Sequence, residues 1–259
     1  MAENHIELAR VGEIATVTLN RPAKLNSLTS AMLNQLEDCA RELEADAVVR
    51  VVILTGSGSK AFCVGADIHE WASFEPLDMW RRWVRRGHQV FDQWARLRQP
   101  VISAINGHAY GGGLELAIVG DVRITSDEAQ FALPEASIAT CPGWSGTQRL
   151  VRLVGASHAK YLALSGQKIN ANDALRTGLV HEVVKSGSLL SRAQELAQEM
   201  ASKAPVSMQL TKQLINASAG EDAAATLEAM AGALAATTQD AAEGLNSFRE
   251  KRKPHYLGR

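Results

Sequence analysis

Between Ile14 and Leu19 the chain alternates, Ile-Ala-Thr-Val-Thr-Leu, and a period of two predicts a strand with one buried face. Apolar runs at Val51-Val-Ile-Leu and Val101-Ile-Ser-Ala-Ile predict further strands, the second buried. With the weaker patterns, strands are expected near residues 5–10, 14–20, 50–55, 101–105, 121–125 and 179–184, alternating with helical stretches, which is an α/β layout. A long helix is expected over 77–98, where Trp80, Trp83, Val84, Phe91, Trp94 and Leu97 recur at helical spacing and Arg81, Arg82, Arg85 and Arg86 lie elsewhere around it. The aromatic stripe is expected in the core or in a pocket wall, and the arginines on a solvated face. Strand signals stop near residue 188, and 188–204, 206–219, 222–236 and 239–251 read as four alanine- and leucine-rich helices separated by Pro205 and Gly220. So much apolar surface on a helical tail calls for a partner.

Two carboxylates stand out against this apolar background. After the strand at 101–105 comes Asn106-Gly-His-Ala-Tyr-Gly111-Gly112-Gly113-Leu-Glu115, a glycine turn opening a helix, with Glu115 on its first turn. Glycines there let a ligand approach the backbone, and the free N–H groups of a helix start favour an anion or a carbonyl oxygen. Glu135 follows Pro134 in the apolar run Phe131-Ala-Leu-Pro-Glu-Ala-Ser-Ile, where burial raises a carboxyl pKa. A neighbouring pair in such a site holds one proton between its members and supplies an acid and a base near neutrality, as adding or removing water requires. The alternative is that Glu115 caps its own helix and Glu135 is a solvated loop charge.

A third segment, Lys60-Ala-Phe-Cys-Val-Gly65-Ala66-Asp67-Ile68, joins Leu19-Asn-Arg-Pro22-Ala-Lys-Leu-Asn26, the glycine turn, Pro134-Glu135, Pro142-Gly-Trp-Ser-Gly-Thr-Gln-Arg-Leu150 and Lys251-Arg-Lys-Pro. In this order the segments resemble the enoyl-CoA hydratase/isomerase, or crotonase, family over nearly the whole chain. The resemblance implies a spiral of repeated β-β-α units over 1–187, carrying an acyl-CoA site, and a helical trimerisation region over 188–259. It implies an oxyanion hole from the backbone N–H groups of Ala66 and Gly112 and catalytic roles for Glu115 and Glu135. Water would add to a trans-2-enoyl-CoA, with Glu135 the candidate for delivering the α-proton and Glu115 positioning the water. Coenzyme A would lie near Ala23, Lys24, Leu25, Gly65, Asp67 and Ile68, and the substrate near Pro134, Gly143 and Trp144. Phe248 and Lys251 match positions that reach the coenzyme A of a neighbouring subunit in a homotrimer or dimer of trimers. No metal or redox cofactor is required, coenzyme A being part of the substrate. Lys24 also reads as a solvated turn lysine, Lys251 as part of a basic end, and the four arginines admit contact with coenzyme A phosphates.

Spacing excludes other motifs. Gly107 and Gly112 lack the lysine of a phosphate loop, since Gly113 stands in its place, and Leu116 stands where a dinucleotide fingerprint needs its third glycine. Thr147 replaces the last glycine of a serine-hydrolase elbow, so Ser145 is not expected to be a nucleophile. His5, His69, His88, His108, His158, His181 and His255 show no metal-ligand spacing, and His108 is expected either to bond local backbone or to touch the ligand. Cys39, Cys63 and Cys141 read as free thiols of a reducing compartment, with Cys63 in the core. A formal charge of -1 gives no nucleic-acid or membrane signature, no apolar run reaches spanning length, and Met1-Ala-Glu-Asn-His lacks the blocks of a secretory signal, so a cytoplasmic protein is expected.

The chain departs from the hydratase pattern at Thr140, Cys141, Trp144 and Ser145, where smaller or aliphatic residues are commoner. An indole beside the Glu135 loop is expected to reshape the acyl pocket. Three readings follow: a hydratase, another crotonase-type isomerase or dehydratase, and a non-catalytic binding or assembly protein on the same scaffold. Both glutamates favour the first.

Overall fold

The computed structural model describes residues 4–259. The chain opens with an antiparallel pair, β1 (Ile6–Val11) and β2 (Ile14–Leu19), and a short 3-10 turn at Pro22–Lys24. Helix α1 (Ser30–Ala45) starts where the Thr29 hydroxyl accepts the Met32 N–H at 3.2 Å, and buries Met32, Leu33, Leu36, Ala40 and Leu43 along one face. Three strand-strand-helical turns follow. The first holds β3 (Val51–Gly56), β4 (Ala61–Cys63) and the helical pieces α2 (Ile68–Trp71) and α3 (Pro76–Asp78), then a π-helical stretch at Met79–Val84 that runs into α4 (Arg85–Arg96). The second holds β5 (Val101–Ile105), β6 (His108–Tyr110) and α5 (Gly112–Ala117). The third holds β7 (Val122–Ser126), β8 (Gln130–Ala132), a 3-10 turn at Glu135–Ile138 and α6 (Gly146–Ser165).

Each turn gives one strand to each of two sheets. β3, β5 and β7 lie side by side and parallel in a six-stranded sheet of order β1-β2-β3-β5-β7-β10, where β10 is Glu182–Val184. β4, β6 and β8 stack in parallel in a second sheet, which the antiparallel β9 (Ile169–Asn170) completes before α7 (Ala171–Arg176). This β-β-α repeat, with one strand of each turn in each sheet, is the architecture expected above. All six predicted strands appear in the larger sheet, whereas none of the second sheet was predicted. Its strands of two or three residues are too short to show a period.

The chain forms two compact units, divided between Gln209 and Leu210. In the first, α8 (Leu189–Ala201) sets Leu189, Ala193, Ala197 and Ala201 against Ile14, Val51, Ile53, Ile102, Ala104 and Ile124. The small alanines recur on one face and let the helix approach the sheet closely. The packing therefore divides later than the boundary at 187, because the first tail helix covers the six-stranded sheet. Helix α9 (Pro205–Ser218) runs across the division, and the second unit holds α10 (Ala223–Ala236) and α11 (Gln239–Arg249). Leu227 and Leu234 of α10 are exposed. Within this unit Arg252 pairs with Glu243 at 2.5 Å, and Asp240 accepts the backbone N–H groups of Leu257 and Gly258.

Candidate active site

The second strand-strand-helix turn sets up the donors. Gly111 takes a φ of +52° between β6 and α5, a conformation that L side chains rarely adopt, and its N–H donates to Ala132 O at 2.9 Å. A Cβ there would stand 2.8 Å from Glu135 Oε1, so the Glu135 carboxyl lies directly over the glycine turn. Gly112 begins α5, and its N–H has no acceptor within that helix. Ala66 lies opposite. Leu28 N–H donates to Gly65 O at 2.8 Å and Asp67 N–H to Leu28 O at 2.7 Å, a parallel bridge that turns the N–H of Ala66 itself to the other side. Gly65, at φ +96°, brings this segment so near Gly112 that a Cβ would lie 3.2 Å from the Gly112 nitrogen. Ala66, Gly112, Glu115 and Glu135 line one cavity of about 230 Å³.

Neither glutamate takes the structural alternative. Glu115 is only 3% exposed, and its Oε1 accepts the N–H groups of Trp144 at 2.9 Å and Gly146 at 2.8 Å, on the loop before α6. Burial raises its pKa, while the backbone donors and the charge of Arg149 pull the other way. Glu135 is 9% exposed, and its Oε2 has no hydrogen-bond partner among the described residues. Burial, opposed by a backbone hydrogen bond and reinforced by the charge of Glu115, pushes its pKa up to about 7. The site thus offers two buried carboxyls with raised pKa values, one held by backbone donors and one that keeps its proton to about 7.

Trp144 lies at once in the core and in the cavity wall. Its indole is buried, meets Phe91 edge-on at 5.3 Å between centroids and tilts against Trp83 at 5.2 Å. Room for it depends on α4, where a Cβ on Gly87 would come within 2.1 Å of Trp144 Nε1. The expected long helix appears as Pro76–Arg96 with the π stretch inside; it buries Trp83, Phe91 and Trp94 but leaves Trp80 exposed. The next residue in the loop, Ser145, donates its hydroxyl to Asp92 Oδ1 at 2.9 Å, and Arg149 Nη2 donates to the same oxygen at 2.9 Å. Burial works against the charge of Asp92, but these bonds prevail and hold its carboxyl below its ordinary pKa. Asp92 was not singled out in the sequence, because only the fold brings α4 to the start of α6. Met79, Trp71 and Ile138 of the cavity wall were likewise missed, being isolated apolar residues with no chemical signature.

The other expected residues fall in two groups. Gly65, Ile68, Pro134, Gly143, Thr140 and Cys141 line the cavity. Ala23 and Lys24 sit exposed in the 3-10 turn and Leu25 follows at φ 52°. Asp67 pairs with Arg21 at 2.6 Å and caps α2 through the His69 N–H at 3.0 Å, with Arg21 holding its pKa down, so its side chain ties the two loops together. Phe248 is 84% exposed on α11, and Lys251, also exposed, follows that helix at φ 54° in the second unit. Cys63 is buried, and burial pushes its thiol up to about 12. His108 stacks on Tyr110 at 5.4 Å and does not line the cavity. Among the described residues, no helix is long and apolar enough to cross a membrane.

One cavity thus brings backbone N–H groups at a glycine turn together with two buried carboxyls, a combination suited to an enzyme site. Residues 10–259 match the family model described as "Enoyl-CoA hydratase/isomerase", and the chain belongs to that family. It is 42% identical over 255 residues to a "Short-chain-enoyl-CoA hydratase" of Clostridium acetobutylicum, spanning 98% of this chain and 97% of the relative. It is 37% identical over 261 residues to a "Crotonyl-CoA hydratase" of Syntrophomonas wolfei, spanning 100% of both chains. A crystal structure of an enoyl-CoA hydratase from Bacillus anthracis superposes with a TM-score of 0.82 at 38% identity, covering 99% of this chain and 100% of the other.

Proposed function

We propose that this protein is an enoyl-CoA hydratase, adding water reversibly across the 2,3 double bond of a trans-2-enoyl-CoA. The observation that carries this is the placement of Glu115 and Glu135, both buried and both raised in pKa, in one cavity with the free N–H groups of Ala66 and Gly112. The thioester oxygen accepts both N–H groups. As the oxygen of water bonds to the β-carbon, the displaced electron pair moves onto that oxygen, where each donor is worth roughly 3–4 kcal/mol. Glu115, its Oε1 held by Trp144 and Gly146, orients the water and draws on its proton. Glu135 delivers the proton that the α-carbon takes as the enolate collapses. The two carboxyls titrate as a pair, and the proton shed by water restores the one delivered.

Coenzyme A lies along Ala23, Lys24, Leu25, Gly65 and Ile68, with Asp67 setting the loop through Arg21. Phe248 and Lys251 complete the site of a neighbouring copy in a trimer or dimer of trimers, in the cytoplasm. The test is the loss of enoyl absorbance when purified protein is mixed with crotonyl-CoA, with the 3-hydroxyacyl product identified by mass spectrometry. A protein that binds crotonyl-CoA without hydrating it would overturn the reading.

A further inference from the structure

A second cavity, of about 470 Å³, opens beside the first and is lined by Arg81, Arg82, Arg85 and Arg86. Arg86 is committed, donating to Glu37 through Nη1 at 2.8 Å and through Nη2, and to Asn34 at 3.0 Å. Arg81 lies over the Trp80 ring at 5.9 Å, and neither it nor Arg82 or Arg85 has a carboxylate partner among the described residues. Arg81, Arg82 and Arg85 are solvent-exposed, as the sequence pattern suggested, yet they line one concavity whose lining holds no carboxylate, and their forked donors suit a carboxylate. Phe74 and Trp83 supply apolar wall, so the anion that fits best is attached to an apolar body.

Trp83 also lines the cavity of the two glutamates. Phe74, Trp83 and Trp144 form a ladder of rings, 5.4 Å and then 5.2 Å between centroids, leading from the arginine cavity to the wall beside Glu115. The π-helical stretch makes this arrangement. It turns Met79, Trp83 and Val84 toward the glutamates while Arg81 and Arg82 face the other cavity. None of Ala23, Lys24, Leu25 or Ala66–Ile68, the segments assigned to coenzyme A, lines the arginine cavity. Under the proposed placement of coenzyme A, the arginines adjoin the acyl end of the site across Trp83.

We propose that the arginine cavity receives the distal carboxylate of an enoyl-CoA whose acyl chain extends past Trp83, making carboxylate-terminated enoyl thioesters a preferred substrate class. This rests on the hydratase reading and deepens it. The experiment is a length series of trans-2-enoyl-CoAs, each member made with a methyl end and with a carboxylate end. At some length beyond crotonyl, the carboxylate form should have the higher kcat/KM, by at least about fivefold at low salt, and the advantage should shrink in high salt. Arg81→Gln, Arg82→Gln and Arg85→Gln, singly and together, should lower the ratio of the two kcat/KM values. A ratio taken within each variant cancels any general loss of folded enzyme.

Equal kcat/KM for the two ends at every length, or a ratio that the triple substitution leaves in place, would overturn the proposal. So would a case in which free glutarate changes crotonyl-CoA turnover through these arginines while the tethered carboxylate brings no advantage, since the cavity would then serve a separate anion. Crotonyl-CoA hydration is measured alongside, and its absence would count against the hydratase reading alone. Calorimetric binding of the saturated thioesters makes the same end-group comparison without turnover.

Discussion

The Glu115 carboxylate accepts the Gly146 N–H at 2.8 Å across a separation of 31 residues, tying the first turn of α5 to the start of α6. The same oxygen accepts the Trp144 N–H, so the group proposed to orient water also sets the backbone carrying the indole wall. Position of the carboxylate and shape of the acyl pocket are therefore coupled.

Glu115→Gln and Glu135→Gln should each lower crotonyl-CoA turnover by about 10²–10⁴-fold while leaving thioester binding in place. In Glu115→Gln the new amide oxygen is still able to accept the two backbone N–H groups, so the fold should survive. The double substitution should cost less than the product of the single effects, because the pair acts as a unit. Steady-state kinetics with calorimetry of a saturated acyl-CoA tests this, and near-parental turnover in both single variants would remove the mechanism.

Glu135 sets a pH dependence. Folded, it keeps its proton to about 7, against an ordinary 4.5, so hydration turnover should fall as pH rises through about 7 and the acid is lost. Between those values the unfolded chain has released a proton that the folded chain retains. Stability from this group therefore falls as pH rises from 4.5 to about 7 and levels off above. Chemical denaturation of the parent and Glu135→Gln at pH 5 and pH 8 should show the variant gaining relative to the parent at the higher pH.

Trp144→Ala should have two effects, because the indole is both core and wall. Loss of its contacts with Phe91 and Trp83 should destabilise the protein by roughly 3–5 kcal/mol, read as a lower Tm. The opened space should raise kcat/KM for longer chains relative to crotonyl-CoA, by about 10–200-fold if it admits one or two methylenes. A stability loss with an unchanged length profile would confine Trp144 to the core.

Gly87→Ala probes the same wall from behind. The added methyl meets the indole and must displace it or the helix, so a destabilisation of about 1–3 kcal/mol is expected. A displaced indole should penalise longer chains most. A length profile identical to the parent would show that α4 moves instead.

Assembly is tested by sedimentation, where a trimer or dimer of trimers is expected, and by Phe248→Ala, which should raise the KM for acyl-CoA while leaving the first unit folded. A stable, active monomer would contradict both.

Periodicity and short-range chemistry were legible in the chain itself. The six strands of the larger sheet, the amphipathic helices, the glycine turn before Glu115 and the proline before Glu135 follow from side-chain pattern, because each depends on neighbours within a few residues. The ordered motifs went further and pointed to the family and to the glutamate pair. Tertiary structure alone decided the rest. β4, β6, β8 and β9 exist because stacking of successive turns pairs segments too short to form strands unaided. Glu135 holds a proton to about 7 because the fold closes apolar surface over it beside Glu115, a desolvation that no local pattern encodes. Asp92 meets Ser145 and Arg149, and the arginines meet Phe74 and Trp83, because helix packing brings distant segments together. A side chain's identity is local, but its solvent and its partners are not.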